Sequence, residues 1–149
     1  MNERQTVVLL AEDNEDDVHL VERAFRLAQL PHAVVVARDG GEALAYLFGE
    51  PPYDDRARFP LPAVVILDLN MPRVNGFDVL ASVKQAKDLC RIPIVVLSSS
   101  DEDADIQRSY DLGANSYLKK PVGFDAFTYL IAESEEYWLR TNLSPAVPA

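Results

Sequence analysis

Five short apolar runs divide the chain, and a stretch with helical periodicity follows each of them. The runs are TVVLLA, AVVVA, AVVILDL, IPIVVLS and NSYLKK. They are rich in valine, isoleucine and leucine, as strands buried on both faces of a parallel sheet require. This alternation predicts an α/β domain with a doubly wound, five-stranded parallel sheet covered by helices on both sides.

The segments between the runs repeat apolar residues at intervals of three or four, which places them on one face of a helix. The last helix is predicted over 123–140, with Phe124, Phe127 and Ile131 facing the sheet. Residues 49–60, GEPPYDDRARFP, predict a long polar loop before the third strand. We expect one domain over 6–141 and a flexible tail over 142–149. The other four predicted helices each place apolar residues on one face, namely Val18, Val21, Phe25, Ala28, Leu44, Leu47, Phe48, Phe77, Leu80, Val83, Ile106 and Tyr110.

Composition narrows the class of protein. The 149 residues are 48% hydrophobic and 26% charged, which is ordinary for a globular domain. A net charge of −10 argues against nucleic-acid binding, which needs clustered lysine and arginine. No apolar run approaches the roughly 20 residues that span a bilayer, and the amino terminus does not resemble a signal peptide. The single cysteine, Cys90, fits a reducing compartment, so we expect a cytoplasmic protein.

Polar side chains stand where the predicted strands end. Glu12 and Asp13 follow the first run, and Asp68 closes the third. Ser98 closes the fourth run, and Lys120 comes just after the fifth. Ligands of such sheets bind outside the carboxyl ends of the strands, where these five residues are expected to converge.

Three carboxylates, a hydroxyl and an amine suggest a specific chemistry. Carboxylates brought together repel one another, and Mg²⁺ relieves that repulsion while keeping room for a phosphate. The DNEDD stretch lacks the glycine and the final glutamate of an EF-hand, which disfavours calcium. Lys120 and Ser98 then suit phosphoryl oxygens, and Asp68 is a candidate nucleophile that forms an acyl phosphate. The acids at 15–17 are interpreted as the solvated first turn of a helix.

Four motifs make the chain recognisable: LLAEDN, LDLNMPRVNGFDVL, PIVVLSS and GANSYLKKP. Together they resemble the receiver domain of two-component response regulators, over residues 6–140. The resemblance implies the flavodoxin-like (βα)5 fold, with Asp68 accepting a phosphoryl group from a sensor histidine kinase. It also implies that Glu12, Asp13, Asp68 and the backbone carbonyl of Asn70 hold Mg²⁺.

The same resemblance implies a conformational switch. Ser98 would follow the phosphoryl group, and Tyr117 would rotate inward behind it. The bond between Lys120 and Pro121 would be cis, a form that X–Pro bonds adopt cheaply. The alternative for Tyr117 is a rim aromatic that packs on the last helix.

Two other functions are compatible with parts of this pattern. A haloacid-dehalogenase-type phosphatase also uses an aspartyl phosphate, Mg²⁺, a hydroxyl and a lysine. Such an enzyme places its general acid two residues after the nucleophile, where this chain has Asn70, which cannot protonate a leaving group. In such an enzyme the strand that carries the nucleophile also comes first in sequence, whereas here the acidic pair Glu12 and Asp13 precedes Asp68. The second alternative is a stand-alone receiver in a phosphorelay or motility pathway.

The regions outside the site suggest partners. The loop at 49–60, SYDLGANSYLKKPV and EEYWL resemble the stand-alone receivers that partner phytochrome-type histidine kinases, and we expect no output module. The sheet-facing residues of the last helix leave Tyr129, Tyr137 and Trp138 unaccounted for, and Tyr137 and Trp138 are predicted to lie beyond the part that the sheet can cover. These aromatics favour a homodimer through the last helix. The alternatives are that Trp138 packs on its own domain, or that this patch docks the kinase.

Overall fold

The computed structural model describes residues 6–71 and 73–145. Five strands alternate with five helices, and a π-helical turn, Tyr137–Thr141, follows the last helix. The strands are β1 (Val7–Ala11), β2 (Ala33–Ala37), β3 (Val64–Leu67), β4 (Ile94–Ser98) and β5 (Ser116–Lys119). The helices are α1 (Glu15–Leu27), α2 (Gly40–Phe48), α3 (Gly76–Gln85), α4 (Asp103–Asp111) and α5 (Phe124–Glu136).

All five strands are parallel and lie in the order β2-β1-β3-β4-β5. Because side chains alternate along a strand, Leu9 enters one apolar layer and Leu10 the other. The first layer contains the buried faces of α2 and α3, and the second contains those of α1 and α5. The predicted doubly wound parallel fold is therefore confirmed. Among the described residues, no helix is both long and apolar enough to cross a membrane.

Side-chain caps begin three of the helices. Asn14 Oδ1 accepts the backbone N–H of Asp17 at 3.0 Å, and Asp39 Oδ1 accepts that of Glu42 at 2.8 Å. Asn75 caps α3 in the same way. Each cap satisfies an N–H group that the helix leaves unpaired, and so fixes where the helix starts relative to the sheet edge.

The loop at 49–60 is less polar than its sequence predicts. The rings of Tyr46, Tyr53 and Phe59 pack together, with centroids 5.2 Å apart for both contacts of Tyr53. The Arg56 guanidinium donates to the carbonyls of Tyr46 and Leu47 at 2.8 and 2.7 Å. These carbonyls end α2, where a cation is favourable, so the loop is folded against the helix that precedes it.

The end of the chain differs from its prediction. The α-helix stops at Glu136, and the π-helical turn brings Trp138 partly under cover of the second apolar layer. The prediction that Trp138 lies beyond the sheet is therefore wrong. The guanidinium of Arg140 donates to the carbonyl of Gln29 at 2.8 Å, which holds this turn against the end of α1.

Phe124 is also misplaced by the prediction, since 68% of it is exposed. It is the first residue of α5, and the helix becomes buried only from Phe127 onward. Residues 142–145 of the predicted tail are described, and 146–149 lie outside the described residues.

Candidate functional site

Two neighbouring strands bring the predicted carboxylates together. Ala11 and Leu67 are paired at the ends of β1 and β3, so Glu12 and Asp68 leave the sheet side by side. Glu12 is 1% exposed and Asp68 is 5% exposed, while Asp13 faces solvent. One carboxylate oxygen from each of the three lies within 4.8 Å of the others.

The amine of Lys120 enters the same site from the end of β5. The backbone N–H of Lys120 donates to the carbonyl of Ser98 at 2.8 Å, which fixes the position from which the side chain extends. Lys120 Nζ donates to Glu12 Oε1 at 2.7 Å and lies 3.8 Å from Asp68 Oδ2. It also donates to Asp17 Oδ2 at 2.9 Å, a contact that the sequence does not predict.

The charges at this site are unbalanced. Burial and the adjacent Asp68 carboxyl raise the pKa of the Glu12 carboxyl to about 8, although Lys120 acts in the opposite direction. Burial alone would lower the pKa of Lys120, but its hydrogen bonds to Glu12 and Asp17 outweigh burial and raise it. One amine thus faces more carboxylates than it can neutralise.

The donor set fits a divalent metal ion. Carboxylate oxygens are hard ligands, which Mg²⁺ and Mn²⁺ prefer to nitrogen or sulfur. A cation between Glu12, Asp13 and Asp68 would relieve the repulsion that the raised pKa of Glu12 reflects. Asn70 lies at the edge of this cluster, where its backbone N–H donates to Asp68 Oδ1 at 3.2 Å.

A tight backbone contact supports Asp68 from behind. The N–H of Gly76 donates to the carbonyl of Leu69 at 3.0 Å, so the first residue of α3 lies against the end of β3. A Cβ atom at position 76 would overlap the carbonyl oxygen of Asp68 and lie 2.6 Å from the Cα of Leu69. Glycine is therefore needed at this position for steric reasons.

Ser100 connects the two predicted switch residues to α4. Ser98 is fully buried, and its Oγ accepts the backbone N–H of Ser100 at 3.1 Å. The hydroxyl of Tyr117 donates to the carbonyl of Ser100 at 2.9 Å. The Oγ of Ser100 itself donates to Asp105 Oδ2, on α4, at 2.7 Å.

The structure differs from the sequence-based expectations for the switch at Tyr117 and at the bond between Lys120 and Pro121. Tyr117 packs against the first apolar layer, on the face of the sheet opposite α5, and not on the last helix. The resemblance implied a cis bond between Lys120 and Pro121, and this is wrong. Among the described residues, the cis bond joins Pro51 to Pro52. The trans form is the intrinsically preferred form of an X–Pro bond, and position beside the site does not override that preference here.

Comparison with known proteins supports the receiver resemblance. The sequence profile of the response regulator receiver domain matches residues 8–132. Response regulator Rcp1 of Synechocystis sp. is 37% identical over 140 residues, which cover 94% of this chain and 93% of Rcp1. The probable methanogenesis regulatory protein FilR2 of Methanothrix harundinacea is 39% identical over 139 residues, covering 93% of this chain and 87% of FilR2.

Solved structures agree with the fold. Phosphorylated RcpA, a cyanobacterial phytochrome response regulator, superposes with a TM-score of 0.89 at 39% identity, covering 95% of this chain and 99% of RcpA. The Mn²⁺-bound form of Rcp1 gives a TM-score of 0.87 with the same coverage of both chains. Similar chains have thus been seen with a divalent metal and in a phosphorylated form.

Proposed function

Because this chain belongs to the response regulator receiver family, we propose that it accepts a phosphoryl group on Asp68 from a sensor histidine kinase in a Mg²⁺-dependent reaction. One observation carries the proposal. The Asp68 carboxylate is buried at the end of β3, beside two further carboxylates and 3.8 Å from the Lys120 amine. Such a group can act as a nucleophile when nearby cationic charge compensates the incoming phosphoryl group.

The residues divide the work of phosphoryl transfer among them. Glu12, Asp13 and Asp68 would hold Mg²⁺, together with the carbonyl of Asn70. The bound cation supplies positive charge that offsets the phosphoryl oxygens. An oxygen of Asp68 forms a bond to phosphorus as the bond from phosphorus to the kinase histidine breaks, and Lys120 donates to a phosphoryl oxygen. Positioning and charge compensation are sufficient for this transfer.

The proposed product is the phosphorylated protein itself, which signals through a change in its surface and does not release a hydrolysed substrate. The family assignment gives no support to the phosphatase alternative, and the amide of Asn70 is not acidic enough to protonate a leaving group. When the Ser98 hydroxyl turns to the phosphoryl group, Ser100 loses the acceptor of its backbone N–H. Ser100 also binds Tyr117 and Asp105, so we propose that its displacement alters the surface formed by β5 and α4.

The proposed kinase is of the phytochrome type. Similarity to Rcp1 and RcpA supports this, since RcpA is a phytochrome response regulator. FilR2 is similarly related, so a phosphorelay in another pathway is the alternative. A panel of radiolabelled histidine kinases distinguishes them: a phytochrome-type kinase should transfer its label fastest. The cytoplasmic location predicted from composition is consistent with the free thiol of Cys90.

We also propose that the protein forms a homodimer through α5. Tyr129 and Tyr137 are 70% and 49% exposed, and such aromatics frequently mark interaction sites. Sedimentation equilibrium should show a dimer that Tyr129→Ala and Tyr137→Ala weaken. A wild type that stays monomeric with and without a phosphoryl mimic would end this idea, and weaker transfer from the kinase in the two variants would assign the surface to kinase docking.

The test of the phosphorylation site is mass spectrometry of the intact protein. Acetyl phosphate with Mg²⁺ should add one phosphoryl group to the wild type. Asp68→Asn should remove it, and a chelator should prevent it, because the phosphoryl charge then lacks compensation. Asp88→Asn is the control, since Asp88 is exposed and outside the site. Labelling of Asp68→Asn at the level of wild type would reject the assignment.

A further inference from the structure

Asp17 contacts the Lys120 amine from outside the acidic cluster. Its Oδ2 lies 2.9 Å from Lys120 Nζ, closer than the 3.8 Å that separates Nζ from Asp68 Oδ2. Both side chains are largely buried. We infer that Asp17 is a positioning residue, which holds the amine of Lys120 in the direction from which it meets the phosphoryl group. This inference rests on the proposed function of Asp68.

The hydrogen bonds of the amine give the first argument. A lysine ammonium has three N–H donors. Glu12 and Asp17 accept two of them, at 2.7 and 2.9 Å. The third donor remains for an oxygen on the Asp68 side. A lysine side chain is long and flexible, and two acceptors restrict the amine more strongly than one does.

The metal ligands give the second argument. Glu12 belongs to the cluster that would hold the cation, so its charge would be shared between the metal and Lys120. Asp17 is not a member of that cluster. Its carboxylate therefore remains as a partner that Lys120 does not share with the metal.

The local fold explains why Asp17, and not its neighbours, reaches the amine. Asn14 caps α1 by accepting the backbone N–H of Asp17 at 3.0 Å, which fixes the first turn. Glu15 turns to Arg38 and His19 instead, and Asp16 faces solvent. Asp17 and Asp16 thus share the same helix turn and the same charge, while Asp17 is the one that contacts Lys120.

That contrast defines the experiment. Asp17→Asn and Asp16→Asn each remove one negative charge from the first turn of α1. With acetyl phosphate at saturating Mg²⁺, Asp17→Asn should lower the maximal phosphorylation rate about tenfold, because misdirected catalytic groups cost rates of this order or more. Asp16→Asn should stay within about twofold of wild type, since exposed charges are well screened. Asp17→Glu should restore part of the rate.

The Mg²⁺ concentration for half-maximal rate separates positioning from metal binding. It should be nearly the same in Asp17→Asn, Asp16→Asn and wild type. An unchanged or higher maximal rate in Asp17→Asn, or equal losses in both asparagine variants, would overturn the inference. A loss explained wholly by weaker Mg²⁺ binding would overturn it as well.

A second measurement does not depend on phosphorylation. A hydrogen-bonded lysine ammonium exchanges its protons slowly enough to give a proton–nitrogen NMR signal. That of Lys120 should be present in the metal-free wild type and in Asp16→Asn, and weakened or absent in Asp17→Asn. An equal signal in all three proteins would refute the anchoring by Asp17. If the wild type takes no phosphoryl group, the proposed function fails, and this signal still decides whether Asp17 holds Lys120.

Discussion

Glu135 is a buried carboxyl group without a partner, and this predicts how stability depends on pH. It lies on the same face of α5 as Phe127 and Ile131, and is 1% exposed. Both carboxylate oxygens lack a hydrogen bond within the described part of the chain. Burial raises the pKa of the Glu135 carboxyl from 4.5 to about 8. The folded protein therefore favours the neutral form.

The direction and size of the effect follow from that difference. A carboxyl whose pKa is higher in the folded state contributes stability fully below its unfolded pKa of about 4.5, and the contribution is lost as the pH rises through about 8. At roughly 1.4 kcal/mol per tenfold change in proton affinity, the loss is about 3 kcal/mol at neutral pH and about 5 kcal/mol above pH 8.

Glu135→Gln keeps the shape of the side chain and removes the charge. Urea unfolding followed by far-UV circular dichroism should give nearly equal stabilities for Glu135→Gln and wild type at about pH 4. Above about pH 8 the variant should be more stable by several kcal/mol, and by about 3 kcal/mol at neutral pH. Glu12 adds its own pH dependence, so the difference between the two proteins at each pH is the quantity to compare.

Glu133→Gln is the matched control, because Glu133 lies on the exposed side of the same helix. Its stability should follow that of the wild type at every pH. The reasoning is refuted if Glu135→Gln loses stability with pH as steeply as the wild type does, or if it is less stable above pH 8. Either result would mean that Glu135 carries its charge in the folded protein without cost.

Two further predictions concern the metal and the hydrogen bonds of Lys84 to residues just before β4 and β5. Millimolar Mg²⁺ should raise the melting temperature of the wild type, because a ligand at a hundredfold excess over its Kd adds roughly 2.7 kcal/mol to the free energy of unfolding. In scanning calorimetry, Asp13→Ala should lose most of this temperature shift. An equal shift in both proteins would contradict the site. Lys84→Met should lower the free energy of unfolding in urea by about 3 kcal/mol, because Lys84 Nζ donates to the carbonyls of Cys90 and Ile92 and to Asn115 Oδ1. Lys87→Met, at an exposed position of the same region, should have almost no effect, and similar losses in the two variants would contradict the role of those three bonds.

The sheet and the place of the site were accessible from the sequence for a simple reason. A central parallel strand is buried on both faces, so it must be an unbroken apolar run, and the polar residue that ends the run marks the sheet edge. Glu12, Asp68 and Ser98 all mark edges in this way. Their convergence follows from the parallel direction of the strands.

The contacts that the sequence missed depend on tertiary structure. Asp17 and Lys120 are separated by 103 positions, and in sequence Asp17 is one of three acids in a helix turn. The covered position of Trp138 depends on a change from α to π geometry, which an apolar periodicity of 3.6 does not encode. From sequence, Arg56 is one charged residue of a polar loop. Its hydrogen bonds to the carbonyls at the end of α2 depend on how the loop folds back onto that helix.

The close contact at Gly76 has a consequence for how this protein tolerates mutation. Gly76 is not among the residues proposed to bind the metal or the phosphoryl group, yet the backbone of Asp68 and Leu69 leaves no room for a Cβ atom there. By contrast, Asp13 is exposed and has space for many side chains. In a library of random variants selected for folding alone, position 76 should be almost invariant and position 13 variable. Only a selection for signalling would make both invariant, so comparing the two selections separates the residues that shape the site from those that work in it.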